Sequence, residues 1–379
     1  MNLYEIRKQL HKIPETAYQE HKTQALILSL FQDNKKLKVH TFKTTGILFE
    51  YTVNSGGYLL YRADMDALPI EEKTNCEFSS EHDGAMHACG HDIHMTILIG
   101  FMNWVLQEDI QQNLLFLFQP AEEGEGGAQA IIQTGIFKQF NIKYAFALHV
   151  SGAYPTGTIA SKSGIIFGIP QEFDIHVKGK SAHVALPQNG KDAILAATQF
   201  YQSINQQITK HFHPLDPVAC HIGWMQAGTM RNALADSCTM KGTTRTLTKE
   251  NWARMNDLIK KTAEHIALIH DLEINVEFPN TYDPVINDHQ LNDLLKSACD
   301  QQIKYQETLP SLTGEDFGFF STLYPSLLFW LGTNSSEDLH SAYFLPDEKS
   351  IDIGIEIYKR MFNLLTKILQ YAKNILSYY

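Results

Sequence analysis

Four short apolar runs, each stopping dead at a polar cluster, constrain this chain more than any other feature. They are "GYLLYRADMDALP", "NLLFLFQPAEEGEGG", "YAFALHVSG" and, far downstream, "PSLLFWLGTN" at Pro325 to Asn334. Continuous apolar strands of this kind are buried on both faces, and helical patterns lie between the first three, so an α/β layered domain is expected. In such a domain ligands sit in the crevice beyond the carboxyl ends of the strands. Those ends carry Asp64 and Asp66, then Glu122 and Glu123, then His149. Three strands therefore deliver acids or imidazole to one edge of the sheet.

The middle of the chain has a different rhythm. "EFDIHVKG" alternates Phe173, Ile175 and Val177, "DAILAATQFYQSINQQI" is helical, and "VACHIGWM" alternates Val218, Cys220, Ile222 and Trp224. "DSCTMKGTTRTL" is a further strand, "NWARMNDLIKKTAEHIALIHDL" an amphipathic helix, and "EINVEFP" a last strand. The order β-α-β-β-α-β is that of the split βαβ, ferredoxin-like unit. The expected fold class is thus an α/β layered catalytic domain with a central mixed, largely parallel sheet, formed by 1–170 and 282–379. An α+β ferredoxin-like domain, 171–281, is inserted into it.

The 379 residues exceed what one domain of about 100 to 200 residues usually holds, which agrees with two domains. A formal net charge of −11 offers no footprint for nucleic acid or an anionic membrane surface, so a small-molecule substrate is expected. The opening "MNLYEIRKQLHKIPETAYQE" lacks the apolar core of a secretory signal, and "TILIGFMNWVL" falls short of the roughly 20 residues that span a bilayer. A cytoplasmic protein is expected. Five scattered cysteines, Cys76, Cys89, Cys220, Cys238 and Cys299, argue against a disulfide framework.

The densest chemistry lies in "GAMHACGHDIHM", Gly84 to Met95. The spacing of Ile93, Ile97, Phe101, Trp104 and Val105 predicts a helix starting near Gly90 or His91. Cys89 and His91 then stand at its N-terminus, where a thiol pKa is expected to fall. Asp92 is expected to orient or cap, and His94 to pack or support. In "PAEEGEGG" adjacent carboxylates in extended chain point apart, so Glu122 and Glu123 are expected to do different work, one holding a metal and one moving a proton. With His149 and His340, the set Cys89, His91, Glu123, His149 and His340 suits Zn or another first-row divalent ion, and is large enough for two. The competing readings are a loop with incidental histidines, a solvated acidic turn, a thiol hydrolase using Cys89 with His91 or His149, and a non-catalytic binding protein.

Taken together, "RADMDALPI", "MHACGHDIHMT", "LLFLFQPAEEG", "ALHV", "GTTRTL", "TGEDFGFF" and "LHSA" resemble the M20 family of metallopeptidases and amidohydrolases over nearly the whole chain. The matching branch holds hippurate hydrolase, auxin-conjugate hydrolases and N-acetyldiaminopimelate deacetylase. The resemblance implies two divalent ions (Zn, Mn, Co or Ni) on Cys89, His91, Glu123, His149 and His340. It also implies that Glu122 activates water, and that Asp64 or Asp66 supports a metal-binding histidine. His183 would polarise the scissile carbonyl, Asn232 and Arg245 would bind substrate, and Glu315 of "TGEDF" would lie near the site, with an N-cap role for Thr313 as the alternative.

For the inserted domain the resemblance implies a lid that also forms a homodimer. The small-molecule N-acyl amino acid substrate it implies is N-acetyl-L,L-diaminopimelate, cleaved to diaminopimelate and acetate for lysine and cell-wall synthesis. A broader N-acyl-amino-acid or hippurate-type hydrolase is the alternative. The chain departs from the family's Gly-Gly-His-Ala-Ala stretch in having Ser181 and Ala182 before His183, and it has Gln188 where relatives carry a second histidine after the proline.

Overall fold

The computed structural model describes residues 1–108 and 110–376. They form two compact units, one built from Met1–Ile166, Val285–Leu309 and the chain from Asp316 onward, the other from Phe167–Pro284 and Pro310–Glu315. In chain order the strands are β1 (Leu37–Thr41), β2 (Ile47–Tyr51), β3 (Tyr58–Asp64), β4 (Asn113–Gln119), β5 (Ile142–Ser151), β6 (Thr158–Ser161) and β7 (Gly164–Phe167). They continue as β8 (Ile169–Lys178), β9 (Val218–Ala227), β10 (Ser237–Thr246), β11 (Glu273–Glu277), β12 (Val285–Asn287), β13 (Lys304–Glu307) and β14 (Ser326–Gly332).

The larger sheet has the order β1-β2-β4-β3-β5-β14-β12-β7, with β6 beside β14 and β13 beside β6. Its centre, β4-β3-β5-β14, is parallel, while β1 and β2 are antiparallel. This is the mixed, largely parallel α/β sheet expected from the apolar runs. Every residue of β4 is buried, as a strand covered on both faces must be. The short strands β6, β7, β12 and β13 hold three or four residues each, too few to show a periodicity in sequence.

The helix His91–Gln107 packs on β3 and against the helices Leu3–Lys12 and Ser350–Leu376. It is apolar on nearly all sides because it is enclosed on nearly all sides. Tyr61 of β3 centres the core: its ring lies 4.6 Å from Phe101, 4.9 Å from Phe146 and 5.1 Å from Tyr358. Burying each such side chain stabilises the unit by roughly 1.5–3 kcal/mol. The helix that begins at His91 is thereby fixed against the strand that ends at Asp64.

The second unit is an antiparallel sheet of order β11-β8-β10-β9. Its helices, Ala193–His211 and Lys249–His270, start on side-chain caps, Asp192 accepting from the Ile194 and Leu195 N–H groups and Thr248 from that of Asn251. Alternate residues of β8, among them Phe173, Ile175 and Val177, are buried in the core that Ala197, Phe200, Met255 and Ile259 share. Chain order through this unit is β8, helix, β9, β10, helix, β11.

Candidate functional site

Strand register assembles one cluster in the first unit. Asp64 ends β3 opposite Gln119, which ends β4. His149 stands three residues past Phe146, the β5 partner of Tyr61, just as Asp64 stands three past Tyr61. After β4 the chain turns through Pro120 to Gly126, with Glu122 and Glu123 in the turn. Before the helix, Gly90 has φ of 80°, and a Cβ there would come within 2.4 Å of Val150 Cγ2. Only glycine lets Cys89 and His91 lie this close to β5. His340 joins from a distant loop, its backbone N–H donating to the Ala88 carbonyl at 2.9 Å.

The side chains converge in overlapping sets. Donor atoms of Cys89, His91 and His149 lie within 4.8 Å of one another, as do those of Cys89, Glu123 and His340, and those of His91, Glu122 and Glu123. Two imidazoles are held by one nitrogen each: His91 donates from Nδ1 to the Asp66 carbonyl at 2.8 Å, and His149 donates from Nδ1 to the Val150 carbonyl at 2.8 Å. That leaves both Nε2 atoms for the cluster. His149 Nε2 is 3.4 Å from Cys89 Sγ, and the buried His91 Nε2 makes no hydrogen bond. His340 Nε2 lies 3.4 Å from Glu123 Oε1.

The electrostatics correct one expectation. The helix start was expected to lower the Cys89 pKa; burial instead pushes the thiol well up, and the carboxylates of Glu123, Glu122 and Asp64 add to the rise. Burial, with three acids added to it, outweighs one helix terminus of about half a charge. Burial and His94 together press His149 down to about 3, so it is a neutral imidazole. For His91, burial is outweighed by Asp64, Asp66 and Glu123, which raise it to about 10.

The profile of peptidase family M20/M25/M40 matches residues 60–364. The chain belongs to that family. An N-acetyldiaminopimelate deacetylase of Priestia megaterium is 38% identical over 361 residues, covering 94% of this chain and 96% of the relative. One from a Geobacillus species is 37% identical, covering 92% and 94%. Among solved structures, a dinuclear metal-binding M20 peptidase of Bacillus subtilis superposes with a TM-score of 0.82 at 29% identity, covering 95% of this chain and 96% of that one.

Around the M20 cluster lies a buried scaffold that the sequence reading had only in part. Arg62, inside β3, donates to Asp64 Oδ2 at 2.8 Å, to Asp316 Oδ1 at 2.8 Å and to Gln119 Oε1 at 2.9 Å. His94, expected to pack or support, accepts from the Val150 N–H on Nε2 and so carries its proton on Nδ1, which donates to Asp64 Oδ1 at 2.6 Å. Burial would raise the Asp64 carboxyl, but His91, His94 and Arg62 hold it well below the usual range. Asp66 differs: its carbonyl orients His91, and its Oδ2 accepts from the Glu123 N–H at 3.0 Å. Asp92 faces away from the cluster toward Arg7 at 2.8 Å and His11 at 2.9 Å. His87 is buried and burial drives it down to about 3. The missed residues Arg62 and Arg7 had a signal, a charge placed inside an apolar strand or helix face, which must find a buried partner.

The other M20 motif residues belong to the second unit. His183 is exposed, and its Nδ1 accepts from the Ala185 N–H at 3.1 Å. It pairs with Ala233, so Asn232, exposed beside it, is a neighbour. Arg245 on β10 turns back to its own strand, donating to the Thr243 hydroxyl and the Thr244 carbonyl, and burial lowers its pKa. Glu315 is buried. Thr313 caps no helix: its N–H bonds Ser311 Oγ, and the next helix, Gly318–Ser321, has Phe317 at its N-cap.

Proposed function

We propose that the protein is a metal-dependent amidohydrolase that removes the acetyl group from N-acetyl-L,L-diaminopimelate, releasing L,L-diaminopimelate and acetate. The observation that carries the metal assignment is the His91 ring, which is buried, held by Nδ1, and has Nε2 without a hydrogen bond beside thiol, carboxylate and imidazole donors. An orphaned buried nitrogen is costly unless something binds it. N, O and S donors together suit a first-row divalent ion, Zn, Mn, Co or Ni. Cys89, His91, Glu123, His149 and His340 would hold two such ions, as in the dinuclear relative. The substrate assignment rests on the names of relatives that match over more than nine-tenths of the chain.

Divalent ions held there supply Lewis acidity toward water and an amide carbonyl. Glu122 is the proton carrier: it is buried beside His91 and Glu123. Its carboxylate takes a proton from the attacking water and returns it to the amine nitrogen as the C–N bond breaks. Asp66 orients His91 and, through the Glu123 N–H, the turn that presents both glutamates. Substrate contacts are assigned to His183, Asn232, Arg245 and Glu315 on motif likeness. We further propose that the second unit is a lid and the seat of homodimerisation, since its edge strand β9 carries exposed Trp224 and Met225. Among the described residues no helix is long and apolar enough to cross a membrane, and action in the cytoplasm is part of the same reading.

Metal analysis of the purified protein, coupled to deacylation assays before and after chelation and reconstitution, tests the mechanism. Turnover of acetyldiaminopimelate against hippurate and N-acetyl-methionine tests the substrate. If diaminopimelate conjugates are the poorest of the three, the broader N-acyl-amino-acid or hippurate-type hydrolase replaces it.

A further inference from the structure

Glu20 occupies the N-cap position of the helix His21–Phe31 yet makes no side-chain cap bond there. Glutamate is a poor cap, and a fully buried one needs another reason to exist. Its carboxylate is turned to the far end of β4, where Oε1 accepts from the Ala121 N–H at 2.9 Å while Oε2 accepts from the Thr45 hydroxyl. Ala121 itself has φ of 55°, a left-handed conformation that disfavours any residue with a Cβ. It is the residue immediately before Glu122 and Glu123, and it is buried. Its carbonyl accepts from the Gly127 N–H at 2.9 Å, and a Cβ at Gly127 would sit 1.7 Å from the Pro120 carbonyl oxygen, so the turn is closed tightly on the other side as well.

We infer that Glu20 is a positioning residue for the reaction: by accepting from the Ala121 N–H it holds a disfavoured left-handed alanine, and that backbone sets the directions of the Glu122 and Glu123 side chains. The inference rests on the roles proposed above for those two glutamates. Three carboxylates then anchor this turn, Glu20 at Ala121, Asp66 at the Glu123 N–H and Asp316 at the Ala128 N–H. Of these, Glu20 alone acts on the strained residue. Releasing Ala121 lets the turn relax toward ordinary backbone angles and swings both glutamates out of register.

The test compares Glu20→Leu, which fills the space without an acceptor, with Glu20→Gln, which keeps one. On the metal-loaded protein and acetyldiaminopimelate, Glu20→Leu is expected to lower kcat at least tenfold with KM within twofold, and Glu20→Gln to stay within threefold of wild type. Adding Ala121→Gly, which removes the penalty of the left-handed angle, is expected to recover at least threefold of the loss in Glu20→Leu. Equal activity of Glu20→Leu and wild type, equal loss in Glu20→Leu and Glu20→Gln, or no recovery on adding glycine overturns the inference. Hydrogen exchange at the Ala121 amide in the wild-type protein serves where the leucine variant does not fold. Protection like that of the β4 amides is expected, and exchange at the rate of an open loop overturns it. Glu122→Gln run alongside separates the two readings, because full activity there removes the assigned role of Glu122 and leaves the amide result standing.

Discussion

The His91 imidazole donates from Nδ1 to the Asp66 carbonyl oxygen at 2.8 Å, and the Asp66 Oδ1 atom lies 3.4 Å from the same nitrogen. A carbonyl can only accept, so Nδ1 carries a proton; the acids that raise His91 to about 10 favour a second proton on Nε2, which a bound cation would displace. Asp66 also fixes Glu123 through its backbone N–H. Substituting Asp66→Ala keeps the backbone carbonyl but removes the carboxylate, both the Oδ1 atom beside His91 Nδ1 and the Oδ2 acceptor of the Glu123 N–H, without touching a donor atom of the cluster. Loss of such a supporting carboxylate weakens metal binding by about 10–100-fold. A competition titration with a chromophoric chelator, on wild type and Asp66→Ala, is expected to show a decrease in that range; equal affinities would remove Asp66 from the scheme.

Glu122 and Glu123 are adjacent, yet the prediction for each differs. Glu122→Gln keeps shape and removes the proton acceptor, so kcat is expected to fall by about 10²–10⁴ with the bound metal unchanged. Glu123→Gln is expected to lose bound metal as well. Metal content and kcat measured on the same preparations separate the two, and retained turnover in Glu122→Gln revives the non-catalytic reading.

What the sequence disclosed here follows from the range of each interaction. The apolar runs disclosed β3, β4, β5 and β14 because a doubly buried strand has no room for polar residues until it ends. The residues after those ends then marked the cluster. Arg62 and Asp316 meet across 254 positions, and Glu20 reaches Ala121 across 101, so no local pattern pairs them. The direction of the Cys89 pKa shift was misjudged for the same reason. A helix start is visible in sequence, whereas the burial that chiefly raises the thiol comes with the packed fold, and the three carboxylates that add to it arrive from β3 and from the turn after β4.

Cys89 discriminates between the metal mechanism and a thiol hydrolase. Burial and the neighbouring acids keep the free thiol protonated, which disfavours it as an unassisted nucleophile. Chelation is therefore expected to abolish turnover, added divalent ions to restore it, and iodoacetamide to have little effect on the metal-loaded protein. A protein indifferent to chelators but killed by iodoacetamide would falsify the metal assignment.

The face of the helix opposite the cluster yields a prediction about stability. His11 lies between Asp92 at 2.9 Å and Glu72 at 3.3 Å, and the buried Arg7 pairs with the same Asp92. Burial alone would lower the His11 pKa, but Asp92 and Glu72 outweigh it and raise it to about 9. A histidine whose folded pKa exceeds its unfolded value of about 6.5 stabilises fully below that value. The contribution, on the order of 3 kcal/mol, then declines as pH rises from 6.5 to 9 and is gone above. The difference in unfolding midpoint between wild type and His11→Gln isolates this term from the other titrating groups. It is expected to be largest at pH 6, to shrink steadily toward pH 9 and to be flat at higher pH. A difference that grows with pH over this window would mean that His11 is neutral in the folded protein and that Asp92 is balanced by Arg7 alone.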